Sequence, residues 1–260
     1  MKISTDSHIK KFMPGVGKLL AVLFWLLIWE LASYSVDNTL VLPSPVTTIL
    51  GLPGVVMSKA FAADLGMTLF RVFGGVLISI LAGILLGVLS GLNKALYTLM
   101  EPFIVMTRTL PVVSISILIN LWVKSSYVPL VVTFLVCFPV TFTNVVEGIW
   151  NTDAKLLEMA KVYDVPFMKT LKNIYLPAIR PYCVSAVMSV IGMGWRSTVT
   201  AEVLANALPS VGMNLYYSKI YLETETLFSW TLIIVICSFL IEKMTIYFLK
   251  RTQQGESNGH

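Results

Sequence analysis

The chain predicts an all-α protein built as a polytopic transmembrane helical bundle, and three observations lead there. Of its 260 residues, 56% are hydrophobic and only 13% charged, about half the ~25% charge of a soluble domain. Apolar runs of the length needed to cross a hydrocarbon core of ~30 Å recur along the chain. The runs are continuous rather than alternating, which favours helices over a β-barrel.

Six spans are predicted, at 18–36, 70–91, 102–123, 127–147, 182–205 and 227–249. Lys10, Lys11 and Lys18 precede the apolar "LLAVLFWLLIW", as in a signal peptide, but "ELASYSVDN" offers a poor small-residue cleavage site. The first span therefore reads as a retained helix, with Trp25 and Trp29 as interface aromatics and Glu30 near its outer end. The following "LVLPSPVTTILGLPGVV" carries three prolines and suits an extended outer segment. Residues 1–60 thus comprise a basic tail, one helix and an outer segment, 61–250 the remaining spans, and 251–260 a polar tail.

In the second span Gly75, Ser79, Gly83, Gly87 and Gly91 recur every four residues and form one small-residue stripe. Small residues let backbones approach closely in lipid, so this face must pack on protein. Its neighbour lies in the same chain or in a second copy.

Lysine and arginine placement orients the bundle. With the N-terminus inside, 13 of the 19 basic residues fall in cytoplasmic segments. Lys59, Arg71, Lys124 and Lys219 fall outside or at the outer edge, while Arg108 and Arg196 lie within spans. Both termini are then cytoplasmic, and the net charge of +5 is a topology signal rather than a nucleic-acid footprint. Cys137, Cys183 and Cys237 sit in different spans and read as small packing residues. His8 and His260 lie in the tails, which leaves a histidine-based metal site or acid–base catalyst in the membrane unsupported.

Between the fourth and fifth spans the chain becomes basic and amphipathic, from Lys155 to Tyr182. Thr152 or Asp153 can cap a first short helix with Leu156, Ala160 and Tyr163 on its apolar side and Leu157 adjacent. Asp164 breaks that pattern, and Asp164 with Pro166 can start a second helix bearing Phe167, Leu171 and Ile174. The prolines of "LPAIRP" should end it before the next span. Such a pair is either an interfacial helix lying on headgroups or a docking element for a soluble partner.

"EMAKVYDVPFMKTLKNIYLP" resembles the EAA loop of ATP-binding-cassette importer permeases, whose pattern is E-A-A, three residues, G, nine residues, I-x-L-P. Glu158, Ala160, Ile174, Leu176 and Pro177 match with every spacing kept, whereas Met159 replaces an Ala and Asp164 replaces the Gly. Asp tolerates a left-handed turn better than most residues. "LPSP" at 42–45, "EPFIVMTRTLPVVSISILINLW" at 101–122 and "GWRSTVTAEVL" at 194–204 are similar to the nitrate/sulfonate/taurine-type branch of these permeases, with "WVKSS" where that branch has W-F-G. The branch also moves thiamine-precursor pyrimidines, so membership leaves the substrate open.

The resemblance implies the type I ABC importer transmembrane-domain fold in a prokaryotic cell membrane, with 151–177 as the cytoplasmic coupling loop seated in a cleft of the ATPase. It also implies a second permease copy or paralogue, two ATPase subunits and an extracellular solute-binding protein. This chain would then be no enzyme and would hold no cofactor, the ATP being on the partner. In agreement, "GVGKLL" lacks the first Gly and the hydroxyl residue of a phosphate-binding loop.

Arg108, Arg196 and Glu202 are candidates for the translocation path, since a charge at mid-membrane costs ~2.5–3.5 kcal/mol. Arg108, roughly 10 Å into its span, can snorkel, pair between helices or face the path. Arg196, roughly 21 Å deep, either lines the path or pairs with a carboxylate. Glu202 falls near the outer interface, where a solvated rim position competes with a path role. An ion-coupled secondary transporter, the alternative, would show inverted repeats and acids near span centres. An intramembrane enzyme would need a nucleophile–base or metal constellation.

Overall fold

The structure is a computed structural model that describes residues 14–257. Lys2, Lys10, Lys11, His8 and His260 lie outside the described residues, as do the side chains of Lys18, Lys250 and Arg251. Every regular element among the described residues is helical: α1 (Pro14–Val36), α2 (Pro45–Val56), α3 (Phe61–Leu92), α4 (Lys94–Thr109), α5 (Val112–Ile119), α6 (Val128–Trp150), α7 (Ala154–Val162) and α8 (Phe167–Thr170), then a π-helical segment (Leu171–Tyr175), α9 (Leu176–Ala205), α10 (Val211–Ile220) and α11 (Thr224–Ser257). Five helical stretches are long and apolar enough to cross a membrane. A sixth crossing requires α4 and α5 together, which meet at 105°.

That bend corrects the reading of 102–123 as one helix. Leu110 and Pro111 are extended, at ψ 129° and 139°, because the proline ring excludes helical backbone from the residue before it. The preceding helix also starts earlier than its apolar run. Asn93 caps it by accepting from the backbone N–H groups of Ala95 and Leu96.

The proline-rich segment after α1, expected to be extended, is likewise helical from Pro45 to Val56. Ser44 accepts from the backbone N–H of Thr47 at 3.2 Å, and Pro45 occupies the first turn, where its missing N–H costs nothing. The prolines of "LPAIRP" do not stop their helix either. Pro177 falls in the first turn of α9 and Pro181 inside it. Just before them the backbone widens into the π segment, where the Leu176 N–H reaches back to Leu171 O. The extra residue shifts the carbonyl row that the Pro177 ring would otherwise meet.

The described chain divides into two compact units. One holds the residues through Ser58 together with Tyr217–Thr231. In it Trp29 Nε1 donates to Pro43 O at 3.0 Å, Thr224 Oγ1 to Leu40 O at 2.7 Å and Ser229 Oγ to Thr48 O at 3.1 Å. A side chain at Gly51 would strike that Ser229 hydroxyl.

The other unit holds Lys59–Tyr216 and the residues from Leu232 onward. The small-residue stripe settles against α6 of the same chain. A Cβ at Gly75, Gly83, Gly87 or Gly91 would come within 2.6–2.8 Å of Thr133, Thr141, Val145 or Ile149 respectively. Partner numbers rise in step along the stripe, so α3 and α6 run parallel. The remaining stripe residue, Ser79, is fully buried and bonds to Val76 O within its own helix. On α6, Gly148 meets Ile179 and Tyr182 of α9, while Gly194 of α9 meets Cys137 and Thr133. These pairings run in opposite order, so α9 is antiparallel to both. Val72, Val76, Cys137, Val190, Trp195 and Ile241 form the shared core.

Candidate functional site

The segment joining α6 to α9 folds as a compact knob. Asp153, not Thr152, caps α7, accepting from the Lys155 N–H at 2.9 Å. The helix closes with the Asp164 N–H donating to Lys161 O (3.2 Å) and the Val165 N–H to Ala160 O (2.8 Å). That reciprocal pair defines a Schellman turn, whose reversing position is normally a glycine. Asp164 occupies it with φ 47°. Its side chain does not cap the next helix: Pro166 is the N-cap of α8, and no side chain bonds there.

The knob folds back on Ala160, which is 4% exposed. Leu157, Ala160, Val165, Phe167 and Tyr175 line a recess of about 290 Å³ between α7 and the π segment. A larger side chain at 160 would fill it. Ile174 is half-buried, while Glu158, Leu176 and Pro177 are exposed. The apolar side differs from its expected placement. Leu156 (44%), Met159 (49%), Tyr163 (76%) and Phe167 (59%) face outward, with Val162 and Met168 more than 70% exposed. A segment with Lys155, Lys161, Lys169 and Lys172 around it therefore presents a cluster of large apolar groups.

The intramembrane charges separate. Arg108 is exposed in the last turn of α4, beside a recess of about 120 Å³ that Tyr97, Glu101, Thr143, Glu147 and Trp150 also line. Arg196 is exposed on α9, and its Nε donates to Gly192 O at 3.2 Å. It opens onto a recess of about 260 Å³ with Val112, Val136, Met193, Ser197 and Thr200. Among the described residues neither arginine forms an ion pair with a carboxylate, so the pairing considered for Arg196 is not made.

Glu202 is the largest departure. It is fully buried, not on a solvated rim, and pairs with Arg71 at 2.9 Å. Thr68 Oγ1 donates to it at 2.9 Å, and the Gly212 N–H at 3.1 Å. Arg71, expected at the outer edge, is 1% exposed and also donates from Nε to Ser126 O and from Nη1 to Pro209 O, at 3.0 and 2.9 Å. Asp64 accepts from Asn214 nearby at 2.7 Å. The early start of α3 explains the misplacement: Asp64, Thr68 and Arg71 fall on the face that continues as Gly75 and Ser79. Their i, i+4, i+7 spacing ahead of the glycines was the available signal.

The family profile of the binding-protein-dependent transport system inner membrane component matches residues 79–253. The putative aliphatic sulfonates transport permease protein SsuC of Bacillus subtilis is 26% identical over 226 residues, covering 86% of this chain and 80% of that protein. The protein of the same name from Escherichia coli is 29% identical, over 84% of this chain and 83% of its own length. The bicarbonate transport system permease protein CmpB of Synechococcus elongatus is 23% identical over 80% of each. Inward-facing structures of the MetNI methionine ABC transporter share the fold, one with TM-score 0.64 at 16% identity over 75% of this chain and 99% of that chain. These relatives give no support to an ion-coupled secondary transporter. The chain belongs to the binding-protein-dependent transport system inner membrane component family and is a permease subunit of an ABC importer.

Proposed function

We propose that the 151–177 knob is where a cytoplasmic ABC ATPase drives this permease. The observation that carries the reading is the knob's exposed Leu156, Met159, Val162, Tyr163 and Phe167, set on a Schellman-closed, self-packed base. A rigid body with an apolar outer face suits insertion into a partner's cleft, where buried aromatic and aliphatic anchors supply most of the binding energy. Glu158 stands beside them and offers a charged partner to a basic group. Met159, Ala160, Asp164, Ile174, Leu176 and Pro177 shape the knob rather than contact the solute. This orientation puts both termini in the cytoplasm, as the lysine and arginine bias favours.

The path is formed with a second permease subunit, a copy or a paralogue, and receives its solute from an extracellular binding protein. Arg196, exposed amid Ser197 and Thr200, supports a small oxyanion as cargo, in line with relatives named for sulfonates and bicarbonate. Arg108 is a second lining candidate. ATP is bound and hydrolysed on the partner, and this chain carries no catalytic residue of its own. The test is co-purification with reconstitution: an ATPase should come down with the permease, and Arg196→Ala should reduce uptake while assembly persists. A permease that isolates without any ATPase defeats the reading.

A further inference from the structure

The knob joins α6 to α9, and the other ends of these two helices meet at the buried Arg71–Glu202 group, about 40 Å from Leu176 along α9. Between the two ends the helices touch through small residues and hydroxyls. Gly148 lies against Ile179, Gly194 against Thr133, and Thr133 Oγ1 against Thr198 Oγ1. Such contacts let backbones approach closely, yet in lipid no hydrophobic effect resists their parting at a free end. At the far end one side chain supplies that resistance. Arg71 donates from Nε to Ser126 O, two residues ahead of α6, and from Nη1 to Glu202 in the last turn of α9 and to Pro209 O beyond it. Its Nη2 adds Ser126 Oγ at 3.2 Å. Glu202 in turn draws in the Gly212 N–H, where a Cβ would lie 2.6 Å from its own. Among the described residues no side chain caps α6, so the guanidinium is what holds the turn ahead of it. A buried ion pair is a poor source of stability by itself, since well-packed apolar residues often do as well or better. What an apolar pair cannot do is hold two backbone carbonyls at once.

We propose that Arg71 is a positioning residue for the transport cycle: by fastening the far ends of α6 and α9 to α3, it makes the three helices one lever, so that a displacement of the knob reaches the opposite end of the unit. The proposal rests on the reading of the knob as the ATPase contact. Without the fastening, α6 and α9 part at the far end, and ATP is hydrolysed while that end stays behind. Lysine separates this role from charge pairing alone. It can keep the contact with Glu202 but lacks the planar fork needed to reach both carbonyls.

The experiment follows a nitroxide spin label at Val131→Cys, in the first turn of α6, in the reconstituted permease–ATPase complex with its native cysteines replaced. Spectra are taken without nucleotide and with ATP plus vanadate, alongside the rate of ATP hydrolysis per assembled complex. With Arg71 in place the spectrum should change on adding ATP and vanadate. Arg71→Lys should hydrolyse ATP to within about twofold of that rate but lose the spectral change. A spectral change equal to that with Arg71 overturns the proposal. So does a loss of hydrolysis in step with the loss of response, because the residue would then serve the fold of the whole complex. A complex with Arg71 that hydrolyses ATP with no change at position 131 overturns it too. If Arg71→Lys does not assemble, Arg71→Met combined with Glu202→Leu decides by the same two readouts, because no buried charge is then left unpaired. Failure of both variants to assemble overturns the proposal, since the pair would then act in folding alone. A permease with Arg71 that binds no ATPase counts instead against the reading of the knob.

Discussion

At the Arg71 end of the larger unit a guanidinium and a carboxylate are sealed from solvent and enclosed by donors and acceptors from α3, α9 and two turns. At the 151–177 end the arrangement is inverted. Charged and large apolar side chains alike are outside, and the interior is little more than Ala160 and the backbone turn around it. The first region is complete in this chain. The second has apolar surface to bury, and nothing among the described residues buries it. A side chain's type therefore says less about its role here than whether its needs are met within one chain.

Breaking the sealed end should have the largest effect. Glu202→Leu strands the Arg71 charge and should cost about 3–5 kcal/mol. The measurement is the amount of folded protein recovered from membranes and its melting temperature. Next comes the α3–α6 seam. Gly83→Val drives a side chain into Thr141 and the Phe142 backbone and should cost about 1–3 kcal/mol by overpacking. Gly66→Ala, in the same helix with nothing within 4 Å of the new Cβ, should be tolerated. Equal effects from the two substitutions would show that the seam is not what holds these helices together.

Much of this contrast could be read in the sequence, for reasons visible in particular residues. The glycine stripe and the E-x-A…I-x-L-P spacing are local patterns, so they survive without coordinates. Asp164 at the reversing position was readable because one residue's backbone preference decides it. The Arg71–Glu202 pair was not, because its members are 131 residues apart. Hydropathy also starts α3 too late, since Asp64, Thr68 and Arg71 look like solvent-facing residues. The break at Leu110–Pro111 was hidden by an apolar run that hydropathy sees as one span. The helix across Pro177 and Pro181 follows directly on a π segment that has no composition signal.

Disturbing the knob's outer face should leave the fold intact and change only what it meets. Glu158→Lys, next to Lys155 and Lys161, should reduce uptake by about tenfold or more through like-charge repulsion at the interface. Membrane levels should match wild type, and a normal uptake rate would remove Glu158 from the coupling surface. The smallest effect is reserved for the reversing turn. Asp164→Gly relieves a left-handed backbone at φ 47° and should be neutral or stabilising by up to about 1 kcal/mol. Asp164→Val should be worse than wild type by about 1–2 kcal/mol, as read from thermal melts of the purified permease.

The central claim is that the exposed knob meets the ATPase and the sealed end does not. Cysteine cross-linking in native membranes tests it most directly, with Cys137, Cys183 and Cys237 replaced beforehand. Tyr163→Cys should form a cross-link to the ATPase whose yield changes with bound ATP, while Leu208→Cys should form none. A cross-link from position 208 but not from 163 would contradict both the orientation and the assignment of the knob.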